Sequence, residues 1–366
     1  MSKILVLVIA TVVLILCWIL QIAFWWHYNR TFSCYQVHEK NQLTPKVCVL
    51  ICAKNEEENL PKCLNSILNQ DYSFFDLLVM DDYSQDGTAQ VLKKYQQHHK
   101  NLFIHRPSRN ITGKKLAIQE GVRLTDADWI LMTDADCVPR SNIWIKNMMS
   151  AIQNKDTDLV LGFGGYKRQK TLLNLFIRYE TVYIALQYFS AAIKGNTYMG
   201  VGRNIAFKKK AFIEKKPFKN NRMGPGDDDA IVQAISNKKN TSICLNQKAH
   251  TLSTPKISFS KYFHQKRRHL SPIKSYSHQQ QFILAFLGFS HLGVFILTLF
   301  VCYAGFWKFG LALLIIRWVF MVVFAQNLFL LFGEKNLLRI LPLADIFLAL
   351  FYFFQLLCIP FPKKQW

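Results

Sequence analysis

Two aspartates interrupt an apolar run. Leu131–Pro139 reads LMTDADCVP, with Trp129 and Ile130 leading in, so Asp134 and Asp136 stand at the end of a buried strand. An unpaired buried carboxylate costs on the order of several kcal/mol, so these acids need a partner. Positions two apart on a strand can face the same side, and two carboxylates on one side suit a hard cation, Mg2+ or Mn2+. A capped strand end with solvated acids is the plainer alternative. Further acids stand at Asp81 and Asp82 in MDDYSQDGT and at Asp227, Asp228 and Asp229 in GPGDDDAIVQAI, where they open a helix. Acids there are ordinary cap and dipole chemistry. Consecutive helical residues point about 100° apart, so one of the three at most can face a given ligand.

The elements that carry these residues alternate. Lys46–Ala53 (KVCVLICA), Asp76–Asp82 (DLLVMDD) and Asn101–Arg106 (NLFIHR) read as strands, as does DWILMTDAD. Between them Leu60–Leu68, Gly87–His98 and Gly113–Val122 read as helices. Strand–helix alternation at this spacing argues an α/β fold, a parallel sheet with helices on both faces, and ligands in such sheets sit outside the carboxyl ends of the strands. The acids fall at those ends. Gly200 and Gly202 in YMGVGRNIAFKKKAF suggest a bulge or loop that needs a free φ.

Both ends of the chain read as membrane segments. Ile4–Trp26 is almost unbroken apolar sequence, long enough to cross a bilayer, and no small-residue cleavage site follows it as in a signal peptide. Phe282–Cys302, Phe309–Leu331 and Ile340–Ile359 repeat the pattern. The chain therefore divides into an anchor over residues 1–28, a soluble domain over 29–278 and a transmembrane region of about three helices over 279–366. The basic residues of the middle domain favour a multi-pass protein of the plasma or inner membrane with that domain in the cytoplasm. The basic C-terminal PKKQW opposes four full spans, so one segment could be interfacial. Thr171–Lys194 carries apolar residues at helical spacing, with Arg178, Glu180 and Gln187 among them, and reads as core or as an interfacial helix. Arg317 lies mid-span. Counted from the GEKN turn at about 1.5 Å per residue, it lies on the order of 20 Å deep and Asp345 about 8 Å, which argues against a direct pair.

A net charge of +22, from 45 basic and 23 acidic residues, calls for a polyanionic partner: nucleic acid, an anionic membrane surface or a phosphorylated substrate. The spans and a phosphorylated ligand supply that purpose, so no nucleic acid is expected. The nine cysteines show no paired metal-ligand spacing and read as reduced and structural.

The order ICAKNEE, VMDDYSQDGT, GKKLA, TDADC resembles the nucleotide-sugar domain of glycosyltransferase family 2, from about Val47 to His269. The resemblance implies a GT-A, Rossmann-like fold, a UDP-sugar donor and inversion at the anomeric carbon. It places Asn55, Asp81 and Asp82 at the nucleotide, with Asp82 toward the uridine, Lys114 near the diphosphate, and Asp134 and Asp136 as the metal-holding DxD pair. GDD stands where many members have TED, which carries the general base to Asp228, with Asp227 as second choice. Gln265 and Arg268 in QKRRH match the QxxRW motif of membrane-bound synthases making cellulose, hyaluronan, chitin or poly-GlcNAc, while His269 replaces its tryptophan. A juxtamembrane basic cluster that grips anionic lipid is the other reading of KRRH. The expected activity is metal-dependent transfer to a growing polysaccharide, with single addition to a lipid-linked acceptor as the alternative. An inactive sugar-nucleotide-binding membrane scaffold is the alternative of another class.

Overall fold

A computed structural model describes residues 3–35, 44–107, 113–219 and 226–357. Cys358, the end of the third C-terminal segment, the PKKQW tail and Gly224–Pro225 of the GPGDDD stretch lie outside them. The chain forms two compact units. A helical unit gathers Met1–Tyr35, Thr171–Tyr183 and Ile257–Trp366, and an α/β unit gathers Gln36–Lys170 and Ile184–Lys256.

In chain order, the helix α1 (Lys3–Ser33) is followed by β1 (Val47–Ala53), α2 (Leu60–Leu68), β2 (Phe75–Asp81), α3 (Thr88–Gln96), β3 (Leu102–His105), α4 (Lys114–Leu124) and β4 (Trp129–Asp134). Then come β5 (Cys137–Pro139), α5 (Trp144–Ser150), β6 (Leu159–Gly162), β7 (Gly164–Tyr166), α6 (Leu172–Ile193), β8 (Ile205–Lys208), α7 (Lys209–Lys215), α8 (Asp227–Ile235), β9 (Thr241–Cys244) and β10 (Thr251–Ser253). The chain continues through α9 (Phe259–Leu270), α10 (His278–Val301), α11 (Trp307–Leu331) and α12 (Leu341–Leu357).

The α/β unit is built on a seven-stranded sheet of order β3-β2-β1-β4-β8-β6-β9. Its central strands read as apolar runs because both faces are covered. Val49, Ile51, Leu77, Val79 and Leu131 pack with Leu60, Leu64 and Ile67 of α2 and with Trp144, Ile145 and Met148 of α5. The alternate residues Leu50 and Met80 meet α4, where a Cβ on Gly121 would lie 2.7 Å from Leu50.

The expectation of a parallel sheet holds for β1 to β4 and fails at β8, which runs antiparallel to both β4 and β6. Strand β6 runs in the direction of β4 and ends level with its carboxyl end, and β8 starts at that same end. Met132 pairs with Ile205, so the residues just before β8 lie beside Asp134. A second sheet of order β5-β10-β7 stands apart, with Ser253 in register with both Cys137 and Tyr166.

In the helical unit three helical stretches are long and apolar enough to cross a membrane by length and composition: Lys3–Ser33, His278–Leu331 and Lys335–Leu357. The 54-residue middle stretch is broken by a π-turn at Cys302–Phe306, where Gly305 adopts φ 97°. That left-handed turn suits glycine and reverses the chain, so a Cβ on Gly310 would lie 3.3 Å from the Thr298 side chain. Helix α1 packs closely on α10, where a Cβ on Gly293 would meet Cys17 Sγ at 2.9 Å.

Arg317 and Asp345 form a direct ion pair, contrary to the depth count. Arg317 Nη2 donates to Asp345 Oδ1 at 3.0 Å, and Nη1 donates to Oδ2. The returning helix begins at Lys335, not Ile340, which puts Asp345 about 15 Å along it, close to the depth of Arg317. His291 Nε2 and Trp318 Nε1 reach the same carboxylate at 2.9 and 3.1 Å. The front half of α6 is core of this unit: Arg178 is buried against Glu334, and Glu180 accepts from Tyr262 Oη at 2.6 Å and pairs with Lys266 at 2.5 Å.

Candidate active site

The acids of the α/β unit converge at the carboxyl ends of β1, β2 and β4, where Ala53 pairs with Asp81 and Cys52 with Asp134. Strand β4 stops at Asp134, and Ala135–Asp136 form the turn into β5. Asp134 and Asp136 therefore converge through a turn rather than through strand alternation. Ligand atoms of Asp134, Asp136 and Cys137 all lie within 4.8 Å of one another. Burial, and then the charge of Asp134, raise the Asp136 carboxyl above its ordinary range, against the opposing pull of Arg203. Glu56 is also raised, first by burial and then by Asp136 and Asp134 across its hydrogen bond from Asn59. Crowded carboxylates whose ionisation is opposed by one another are the donor set a hard divalent cation relieves, so Mg2+ or Mn2+ fits here. Cys137 is buried and bonded to Ser253 and Asp136, and burial first, then these acids, keep its thiol protonated, which leaves the ligand role to the carboxylates.

Lys114 opens α4 behind Gly113, whose φ of 105° is glycine's territory. Its Nζ lies 2.8 Å from Asp134 Oδ1 and 3.2 Å from Asp227 Oδ2. Burial works against its charge, but Asp134 and Asp227 outweigh it and hold the ammonium well above the ordinary lysine range. Helix α8 starts behind Gly226, at φ 87°, and presents Asp227 and Asp228 in its first turn. Asp228 Oδ2 accepts from the Gly202 amide at 2.9 Å and Oδ1 from the Asp229 amide at 3.1 Å. Burial, then Asp227 beside it, push the Asp228 carboxyl up to about 6, while Lys114 and the Gly202 amide pull the other way. A carboxylate that titrates there is suited to accept a proton near neutrality.

Neither Gly200 nor Gly202 has a positive φ, so the expected conformational need is absent at both. Gly200 is instead held to glycine by closeness, because a Cβ would lie 3.0 Å from Leu161 and 3.1 Å from Val232.

At the β2 end, Asp81 Oδ1 accepts from the Ser84 amide at 3.0 Å. Asp82 Oδ1 accepts from the Gly113 amide at 3.2 Å, and its other oxygen lies 3.4 Å from Lys54 Nζ. Asn55 stands at φ 57° and takes the Gln85 amide on Oδ1 at 2.8 Å. These three side chains shape the loops that close the strand ends. Gln265 and Arg268 belong to α9 of the helical unit, where Gln265 Oε1 is buried without a hydrogen-bond partner among the described residues and Arg268 is exposed.

Sequence reasoning passed over Arg203 and Glu56. Arg203 sits between Gly202 and Asn204, and its carbonyl accepts from Thr133 Oγ1 at 2.9 Å, immediately before Asp134. An arginine in a stretch otherwise apolar or glycine-rich was the signal available.

Residues 48–214 match the model of glycosyl transferase family 2. A glycosyltransferase, AglE, of Haloferax volcanii is 33% identical over 120 residues, 32% of this chain and 39% of that protein. A poly-beta-1,6-N-acetyl-D-glucosamine synthase of Staphylococcus epidermidis is 26% identical over 102 residues, 28% of this chain and 24% of that one. The chain thus spans less than half the length of the curated relatives it matches. Among solved structures, a mannosyltransferase of Pyrobaculum calidifontis in complex with GDP-Man and Mn2+ aligns over 94% of this chain and 98% of its own, with TM-score 0.57 and 16% identity. The fold is GT-A, and residues 48–214 are similar to glycosyl transferase family 2.

Proposed function

We propose that the protein is a membrane-bound, metal-dependent inverting glycosyltransferase that moves a sugar from a UDP-sugar to a growing polysaccharide or a membrane-linked acceptor. The observation that carries this reading is the placement of Asp228. It is aimed by the Gly202 amide, titrates near 6, and stands beside the Lys114–Asp227–Asp134 chain of charges.

Asp228 takes the proton of an acceptor hydroxyl as that oxygen bonds to the anomeric carbon. The bond from that carbon to the diphosphate breaks on the opposite face, and UDP leaves with inverted configuration at the sugar. Asp227 holds Lys114, whose ammonium faces the charge that develops on the leaving group. Asp134 and Asp136 would hold Mg2+ or Mn2+, which supplies further neutralisation of the diphosphate. Asn55, Asp81 and Asp82 border the nucleotide, and the match to QxxRW makes Gln265 and Arg268 candidates for donor binding. The long apolar helices support a multi-pass membrane protein, and the basic residues of the middle domain support a cytoplasmic side for the α/β unit.

Single addition to a lipid-linked acceptor is favoured by one residue. His269 offers less flat apolar area for stacking on a polymer end than the tryptophan of QxxRW, which argues for short products.

Membranes containing the protein, incubated with labelled UDP-sugars and with GDP-mannose, test the reading. Transfer from a UDP-sugar, stopped by EDTA and restored by Mn2+ or Mg2+, is the expected result. Donor cleavage that never depends on added acceptor or metal would remove the proposal.

A further inference from the structure

Arg203 lies among the site acids, and no step above uses it. Its backbone is fixed at three points. Its carbonyl accepts from Thr133 Oγ1 and from Thr251 Oγ1, each at 2.9 Å. The preceding amide holds Asp228, and the following Asn204 side chain is bonded to Phe163 and Ala249 carbonyls and to Trp144 Nε1.

The guanidinium lies along one row of the small sheet. It stacks on the Tyr166 ring at 4.5 Å, and Nη1 donates to Gly165 O at 3.2 Å and Ser253 Oγ at 3.3 Å. Ser253 is in register with Tyr166 on one side and Cys137 on the other. Ser253 Oγ meets Cys137 Sγ at 2.9 Å, and Cys137 Sγ donates to Asp136 Oδ1 at 3.4 Å. The row thus leads from Arg203 to Asp136. Among the described residues no carboxylate lies within ion-pair distance of Arg203, and its Nη2 makes no hydrogen bond. Asp134 and Asp136 favour its charge from beyond ion-pair distance, and a planar fork with donors to spare suits a phosphate.

Charge counting names the anion. A divalent ion would balance Asp134 and Asp136, and Lys114, which also touches Asp134, would then be matched by Asp227. The two negative charges of a nucleotide-sugar diphosphate are then unmet, and Arg203 stands on the Asp136 side of the cluster. Resting on the nucleotide-sugar reading above, we propose that Arg203 is a donor-binding residue that takes a diphosphate oxygen beside the DxD acids, and that the β5-β10-β7 sheet exists in this site to hold it there.

Binding of UDP, UMP and uridine to the full, detergent-solubilised protein with Mn2+, followed by calorimetry, tests this. Arg203→Gln should weaken UDP about tenfold or more, the scale of a lost charge-assisted hydrogen bond, and leave uridine unchanged. Arg203→Lys should recover part of the loss, and Tyr166→Leu, which loosens the guanidinium, should weaken UDP less than Arg203→Gln does. Unchanged UDP binding by Arg203→Gln, with a wild type that binds UDP, overturns the assignment alone. So does an equal loss of UDP and uridine in both Arg203→Gln and Tyr166→Leu. A wild type that binds neither UDP nor GDP removes the donor reading and this assignment with it.

Discussion

At the strand ends of the α/β unit, Asp134 and Asp227 reach Lys114 with Asp136 and Asp228 beside them, and the carboxyls of Asp136 and Asp228 are pushed up by burial and then by these neighbouring acids. Inside the helical unit every acid just described has its own donors. Asp345 takes Arg317, His291 and Trp318, Glu334 takes Arg178, and Glu180 takes Lys266 and Tyr262. Buried charge is tolerated in both regions, but only the second is electrostatically complete. An incomplete set stores a demand for a ligand, whereas a complete set fixes the arrangement of helices.

The largest effect should follow from Asp136→Ala. Loss of a carboxylate proposed to hold the metal is expected to lower transfer on the order of a thousandfold, the scale of several kcal/mol of charge stabilisation. Because that carboxylate is crowded rather than paired, the thermal midpoint should stay level or rise. A variant that turns over normally, or one that unfolds, would break the contrast. Asp345→Leu should do the reverse. It leaves Arg317 buried without a counter-charge and should destabilise the helical unit by about 3–5 kcal/mol, seen as a lowered midpoint in detergent.

Next comes Asp228→Asn, with a loss of transfer of at least about a hundredfold. UDP binding should persist. If Asp227→Asn does this and Asp228→Asn does not, the base is the neighbouring acid. The pH dependence follows from the raised value. With a folded pKa of about 6 against an ordinary 3.8, the folded protein takes up a proton that the unfolded chain does not. This group therefore favours the fold increasingly as pH falls from about 6 to about 4, and its ionisation opposes folding above that window. Activity runs the other way. It should fall as pH drops through about 6, and a rate profile flat across that range would contradict the assignment to Asp228.

Much of the α/β unit was legible because strands covered on both faces read as apolar runs. Val47–Ala53, Phe75–Asp81 and Trp129–Asp134 each lie within a residue or two of the expected strand. The direction of β8 was not legible, since a four-residue strand has no directional signature. That miss hid Arg203, because without the antiparallel register nothing put residue 203 beside Asp134. In the helical unit the apolar lengths were plain, but the pairing of Arg317 with Asp345 turned on where the last helix begins. Lys335–Ile340 reads as a polar turn and is helical. The closeness of Lys114 to both Asp134 and Asp227 was equally beyond local pattern, as it joins three elements far apart in sequence.

The smallest expected effect is the sharpest test of the contrast. If the Arg317–Asp345 pair serves architecture alone, its two charges are dispensable together though not singly. Arg317→Met with Asp345→Leu removes both and fills the space with apolar atoms. Gln21 Nε2 keeps its bonds to Leu287 O and Ser290 Oγ, while Gln21 Oε1, His291 Nε2 and Trp318 Nε1 lose a partner. Those losses and the gain from avoiding charge desolvation are each of order 1–3 kcal/mol and opposed in sign, so the double variant should lie within about 1–2 kcal/mol of the wild type. Transfer should be nearly unchanged. The matched experiment in the other region, Lys114→Met with Asp134→Leu, should retain stability and lose activity entirely, because there the charges are kept for the ligand. A helical double variant as unstable as Asp345→Leu alone would mean that its network carries more than the pair. An inactive but stable one would place a functional charge in the helical unit and erase the distinction between the two regions.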